Sequence, residues 1–242
     1  MQTSSFYHKH IRLIFRPLYR LLFNIKMSYY RKFKYESDSP NYDDLIVDTR
    51  HLYKADVEKI RMISLRILDV LEAICTKLDI SYMLAYGSLL GCIRHKGFIP
   101  WDDDMDIMMS KNDFNIFLKH AYLLPESIEF QSGGKDFYKL IDKYSKVSND
   151  QKRGVAVDIF IYEETKNKIY LYDTYSRDEL IFENSCFFPI KSMRFEDGFR
   201  NCPQNYSKVL TAHYGDYLTL PPLDQQVFPH LKGKINIFPF KK

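Results

Sequence analysis

No stretch of this sequence approaches the ~20 consecutive apolar residues that a membrane-crossing helix requires. Arginines interrupt every apolar run near the N-terminus, so that end does not read as a secretory signal. Cysteine is scarce, with four residues (Cys75, Cys92, Cys186 and Cys202) in 242. They form no C-x-x-C pair and no Cys/His pairing at zinc spacing, which argues against a zinc module and makes a reducing cytosol the simplest setting. Cys75 and Cys92 lie among apolar neighbours, the ordinary place for a buried free thiol. The Gly-x-x-x-x-Gly-Lys loop of P-loop enzymes is missing, as are a Ser/His/Asp hydrolase elbow, internal repeats and low-complexity tracts.

Acidic residues are absent from the first 35 positions, which hold Lys9, Arg12, Arg16, Arg20, Lys26, Arg31, Lys32 and Lys34. That arm carries +8 while the whole chain carries +4, so the remainder carries −4 and the basicity belongs to the arm. Between Ile11 and Met27, Ile11, Ile14, Phe15, Leu18, Leu22 and Ile25 recur at helical spacing, and Pro17 kinks this helix or starts a second one. A basic amphipathic helix of this kind suits an anionic membrane surface, with contact through residues 6–35. It equally suits packing on the domain, or grasping a partner protein. Nucleic-acid binding has only this arm to recommend it and is not expected.

The composition of the whole chain, 45% hydrophobic and 27% charged, is that of a folded protein. Residues 1–50 read as arm and polar linker, 51–225 as the main domain and 226–242 as a basic tail in loop conformation. Periodicity predicts a helix over Ala55–Leu78, with a stripe of Val57, Ile60, Ile63, Ile67, Leu71, Ile74 and Leu78. It then predicts a strand over Ile80–Tyr86, a short helix over Ser88–Arg94, a strand over Asp104–Met109 and a helix over Lys111–Tyr122. Gly154–Ile161 reads as a further strand, Tyr170–Glu183 carries helix signals, and Asn205–His213 reads as a helix.

The chemistry concentrates in Trp101-Asp102-Asp103-Asp104-Met105-Asp106. On a strand, residues two apart share a face, so Asp104 and Asp106 project together while Met105 and Ile107 turn to the core. Paired carboxylates repel unless a cation or hydrogen bonds offset them, and magnesium takes one or two carboxylates plus substrate phosphates. Asp158 is the sole charge in an apolar strand, and such a carboxylate needs a partner. A metal shared with Asp104 and Asp106 would serve, as would a strand-end amide. Gly87 and Ser88 follow a strand and open a helix, a setting in which backbone amides and the helix dipole receive phosphate. Arg94, His95 and Lys96 are placed to neutralise phosphate oxygens, or form an exposed basic turn. Trp101 walls the site, stacks on a ring, or simply packs.

The run from Tyr86 through Gly87, Ser88, Arg94, Pro100, Trp101 and the acids to Ile107 resembles the signature of the LicD family, to which the fukutin-type transferases are related. Val157-Asp158-Ile159-Phe160, Phe195-Glu196-Asp197 and the stretch from His213 to Pro222 resemble its later elements, so the likeness covers residues 55–222. The resemblance implies an α+β, nucleotidyltransferase-like fold, with a small mixed sheet flanked by helices and a helical C-terminal part. It implies donor-phosphate binding by Gly87 and Ser88, near the donor phosphate-binding candidates Arg94 and Lys96, and magnesium (or manganese) held by Asp104, Asp106 and Asp158. Asp158 alternatively accepts the proton of the attacking hydroxyl.

The implied activity moves a substituted phosphate from a CDP-linked donor to a hydroxyl of a cell-surface glycan or lipid-linked saccharide, releasing CMP. Phosphocholine from CDP-choline is the leading cargo, with a polyol or sugar phosphate as the alternative. A non-catalytic protein keeping the fold is the rival from another class. The expected setting is cytoplasmic, peripheral at the inner face of the cell membrane.

Overall fold

A computed structural model describes residues 21, 22, 24, 25, 55–147, 153–172, 179–229 and 235–238. The polar linker and nearly all of the basic arm lie outside these residues. The four arm positions that are described are helical, with Leu21, Leu22 and Ile25 exposed. Among the described residues no helix is long and apolar enough to cross a membrane.

The main domain begins with α1 (Asp56–Leu78), whose Glu58 carboxylate accepts the Ala55 amide and whose left-handed C-cap is Asp79. Ile60, Ile63, Ile67, Leu71 and Ile74 of the predicted stripe are buried. The chain continues through β1 (Met83–Leu84), α2 (Tyr86–His95), β2 (Met105–Ser110) and α3 (Lys111–Lys119). The strands β3 (Ile128–Gly134), β4 (Phe137–Asp142), β5 (Ser145–Lys146) and β6 (Ala156–Glu164) follow. Next come β7 (Lys168–Tyr172), β8 (Glu179–Glu183), β9 (Lys191–Phe195), β10 (Gly198–Cys202), α4 (Tyr206–Tyr214) and β11 (Asn236–Ile237).

The main sheet is mixed and runs β1-β2-β6-β4-β3, with β7 and β8 continuing from the far end of β6. Among the described residues only β2 and β6 pair in parallel. Alternation divides the sheet into two faces. Val157, Ile159 and Leu140 are fully buried on the face that meets α1, where Arg66 of α1 forms an ion pair with Asp142 of β4. The opposite face carries Asp106, Asp158 and Lys139, all half-buried. The architecture is α+β, as the sequence resemblance implied.

Three local expectations are corrected. The stretch Tyr170–Glu183, predicted as helix, supplies the antiparallel strands β7 and β8, registered from Lys168↔Glu183 to Tyr172↔Glu179. Ile169, Leu171 and Phe182 are its buried positions, so partner strands and a period of two overrode the helical signals. The predicted strand Ile80–Tyr86 pairs only at Met83 and Leu84, because Tyr86 turns to a φ of 39° and opens α2. The tail read as loop contributes β11, which pairs with β5.

All four cysteines are buried and free, and Cys92 on α2 lies 3.7 Å, sulfur to sulfur, from Cys202 on β10.

Candidate active site

The entry into α2 is fastened to the first residues of β2. The Ala85 amide donates to the Asp106 carbonyl at 3.0 Å, and the Asp106 amide donates to Ser88 Oγ at 2.9 Å. With both backbone groups of Asp106 taken, its position is set by the turn that carries Gly87 and Ser88. Gly87 has a steric role as well. A β-carbon there would stand 2.8 Å from Asp102 Oδ2, so the absence of a side chain lets the Asp102 carboxylate lie against the first turn of α2.

The loop leading to the acids is held from α1. Arg61 Nη2 donates to the carbonyls of Ile99 and Pro100, at 2.8 and 3.0 Å, and reaches the carbonyl of Asp102 at 3.5 Å. Glu196, in the β9–β10 turn, braces the preceding turn by accepting the Phe98 amide at 2.8 Å. These clamps fix where the acidic run enters β2.

Register does the rest. Asp106 is opposite Asp158 on the parallel neighbour β6, and Asp158 is opposite Lys139 on antiparallel β4. Residues directly opposite across paired strands share a face at contact distance. The three side chains therefore form one row across β2, β6 and β4, with Asp104 and Asp102 beside it at the start of β2. Lys139 forms an ion pair with Asp158.

The electrostatics are those of crowded acids. Burial, then repulsion from Asp104, Asp158 and Asp102, holds the Asp106 carboxyl well above the usual carboxylate range, with Lys139 opposing. Burial, then repulsion and a hydrogen bond from Asp104, pushes the Asp102 carboxyl up to about 8. Asp103 is buried, and its amide donates to Asp102 Oδ1 at 3.2 Å.

The structure brings Asp104, Asp106 and Asp158 to one place, beside Gly87 and Ser88. Arg94 and Lys96 lie at the opposite end of α2, about 10 and 13 Å of helix rise from Gly87. Arg94 donates from Nη1 to the Tyr217 carbonyl at 3.2 Å and from Nε to His95 Nε2 at 3.0 Å, and stands over the Trp101 ring at 5.8 Å. Burial lowers the proton affinity of both Arg94 and His95, and in His95 the adjacent Arg94 adds to the effect. Lys96 caps the helix C-terminus, donating to the Ile93 carbonyl at 3.1 Å. Trp101 is a packing platform for Arg94 and His95.

Two site residues were missed by sequence reasoning. Lys139 sits in a middle region to which no element was assigned, and nothing local marks it. Asp102 precedes the predicted strand and its Asp104–Asp106 pair, yet its carboxylate belongs to the cluster. The neighbouring glycine was the available signal, because only the missing β-carbon of Gly87 admits it.

The donors are hard carboxylate oxygens, of the kind that suit magnesium or manganese, and their mutual repulsion is what a divalent cation would relieve. Asp104 and Asp106 fit such an ion, with Asp102 adjacent, whereas the Asp158 carboxylate is engaged by Lys139. Among the described residues no three His, Cys, Asp or Glu side chains form a ready metal-ligating group.

The family described as LicD/FKTN/FKRP, nucleotidyltransferase domain, matches residues 79–205. The lipopolysaccharide cholinephosphotransferase LicD of Haemophilus influenzae is 34% identical over 126 residues, covering 48% of this chain and 47% of that protein. The human ribitol 5-phosphate transferase FKRP is 24% identical over 151 residues, covering 62% of this chain and 30% of that protein. An uncharacterised Rickettsia prowazekii protein is 35% identical over 123 residues, covering 50% of this chain and 42% of its own length. This chain thus spans less than half the length of these relatives. The matched region runs from the end of α1 to the start of α4, just over half of the sequence, and contains α2, the acidic run and all three strands of the Asp106–Asp158–Lys139 row. This chain belongs to the LicD/FKTN/FKRP family.

Proposed function

We propose that this chain is a divalent-metal-dependent phosphotransferase that moves phosphocholine from CDP-choline to a hydroxyl of a cell-surface glycan, releasing CMP. The observation that carries this reading is the row of Asp106 and Asp158, in register on parallel strands, with Asp104 and Asp102 beside it at the N-terminus of α2. A protein that only kept the fold would bear the cost of these crowded acids without using them.

Magnesium or manganese held by Asp104 and Asp106 would neutralise charge that develops on the departing nucleotide. The chain's own residues supply the remaining functions. The first turn of α2 presents backbone amides to the donor diphosphate. Asp158, held in place by its ion pair with Lys139, accepts the proton of the attacking hydroxyl. The new bond joins that oxygen to the distal phosphorus, the bond from that phosphorus to the bridging oxygen breaks, and CMP leaves with the electron pair.

The match to a ribitol 5-phosphate transferase supports a second reading, in which the same residues transfer a polyol phosphate. Both are tested by incubating the protein with magnesium, a glycan acceptor and CDP-choline, CDP-ribitol or CDP-glycerol in turn. Acceptor-dependent CMP release from CDP-choline is expected; release from CDP-ribitol alone selects the second reading, and no release from any donor defeats both.

The basic arm, residues 6–35, is proposed to hold the protein on the anionic inner face of the membrane, close to a lipid-linked acceptor. Its exposed apolar helical positions Leu21, Leu22 and Ile25 support this. Deleting residues 1–35 should weaken binding to anionic vesicles, most clearly at low salt, and unchanged binding would refute it.

A further inference from the structure

Immediately beyond the acidic row, the same sheet face turns aromatic. Side chains two residues along a strand share a face, so Asp158 is followed by Phe160 on β6, and Lys139 is preceded by Phe137 on antiparallel β4. Phe137 and Phe160 are themselves paired in register and stack at 4.9 Å between ring centroids. The Tyr86 ring meets Phe160 edge-on at 4.6 Å and His213 of α4 at 4.9 Å. Tyr86 is held there by its hydroxyl, which donates to the Tyr172 carbonyl at 2.8 Å. Phe137, Phe160 and His213 are half-buried, so the group reaches the surface beside the acids.

From this geometry we infer that Phe137, Phe160 and His213, backed by the buried Tyr86 ring, form the seat for the trimethylammonium group of the transferred phosphocholine. The inference deepens the proposed function and rests on its choline reading. Three observations support it. First, aromatic faces attract cations, and quaternary ammonium groups are recognised by clustered rings; here the Phe137 ring already lies 4.8 Å from the Lys139 ammonium. Second, the distance fits. One row of the sheet separates the acids from the rings, about 6.6 Å along a strand. Extended, the two-carbon arm of phosphocholine carries the methyl groups of its quaternary nitrogen a similar distance from phosphorus. A phosphorus placed at the acidic row therefore brings those methyl groups to the aromatic row. Third, the rings are accessible from the acidic row, since Phe137, Phe160 and His213 are half-buried beside it. An uncharged polyol would gain nothing from the ring faces as cation hosts.

The test compares binding of phosphocholine and its uncharged tert-butyl isostere to the full-length protein by calorimetry, in the presence of magnesium. Wild-type protein is expected to prefer phosphocholine by about tenfold. Phe160→Leu and Phe137→Leu, which keep apolar volume, should each remove most of that preference while leaving isostere binding nearly unchanged. Equal wild-type affinity for the two ligands would overturn the inference without any variant. So would an undiminished preference in both leucine variants. A wild-type protein that releases CMP from CDP-choline yet shows no preference defeats the aromatic seat alone. One that accepts CDP-ribitol and rejects CDP-choline defeats the choline reading, and this inference with it.

Discussion

Replacing Asp106 with Asn is expected to abolish transfer and, in the absence of divalent cations, to stabilise the fold. Asp106 is surrounded by Asp104, Asp158 and Asp102 and opposed by Lys139. Unit charges about 4 Å apart interact by about 4 kcal/mol at an effective dielectric of 20. Proton uptake caps that cost, and the Lys139 attraction offsets part of it, leaving a net gain of about 1–3 kcal/mol for a neutral isostere. In a domain of this size each kcal/mol moves the melting temperature by about 2–4 °C, so the variant should melt about 2–12 °C higher in EDTA.

The pH dependence has a definite sign. A carboxyl whose folded proton affinity is raised costs stability as the unfolded chain releases its proton and the folded chain does not. The gap between wild type and Asp106→Asn is therefore small in acid, where both side chains are uncharged, and widens as pH rises through the ordinary carboxylate range. For Asp102 the corresponding window runs from the ordinary 3.8 to about 8. Saturating magnesium should reverse the order. At a hundredfold excess over its Kd a ligand adds about 2.7 kcal/mol to wild type, and the variant should lose most of that gain. Scanning fluorimetry across pH, in EDTA and then in magnesium, measures both effects. A variant that melts lower than wild type in EDTA, or that keeps the full magnesium-induced shift, would refute the reasoning.

Gly87→Ala places a β-carbon 2.8 Å from Asp102 Oδ2, so the carboxylate must swing away; kcat should fall about a hundredfold while the melting temperature changes little. Ser88→Ala leaves the Asp106 amide without its acceptor, and urea unfolding should show a loss of about 1–3 kcal/mol. Lys139→Met removes the charge that opposes proton uptake by Asp106, so the rising limb of the kcat/KM–pH profile should move to higher pH, an unmoved limb counting against the row. Gly91→Ala drives a β-carbon to 2.4 Å from the Gly97 carbonyl oxygen, a backbone atom that cannot rotate aside. It should destabilise by about 1–3 kcal/mol in the same unfolding assay.

Much of the fold was legible because its elements announce themselves locally. The stripe of α1 repeats every three to four residues over six turns, and the structure extends it over Asp56–Leu78. The run Gly154–Ile161 is apolar because one face of β6 is fully buried and the other half-buried, and Asp158 stands out within it. The segment Tyr170–Glu183 was misread because its composition favours helix while its partner strands impose a period of two. The hairpin β3–β4 had no assigned element, since half-buried positions such as Phe137, Tyr138 and Lys139 blur the alternation.

The sequence by itself determined that Asp104 and Asp106 share a face, that Met105 and Ile107 oppose them in the core, and that Gly87 and Ser88 open a helix. Each of these follows from backbone periodicity over a few residues. Only the tertiary structure decided that Asp158 stands level with Asp106, that Lys139 is its ion-pair partner, and that Asp102 rests against Gly87. It also sent Arg94 and Lys96 to the far end of α2. Such placements depend on strand register and helix length, and no window of neighbouring residues encodes which distant strand will lie alongside.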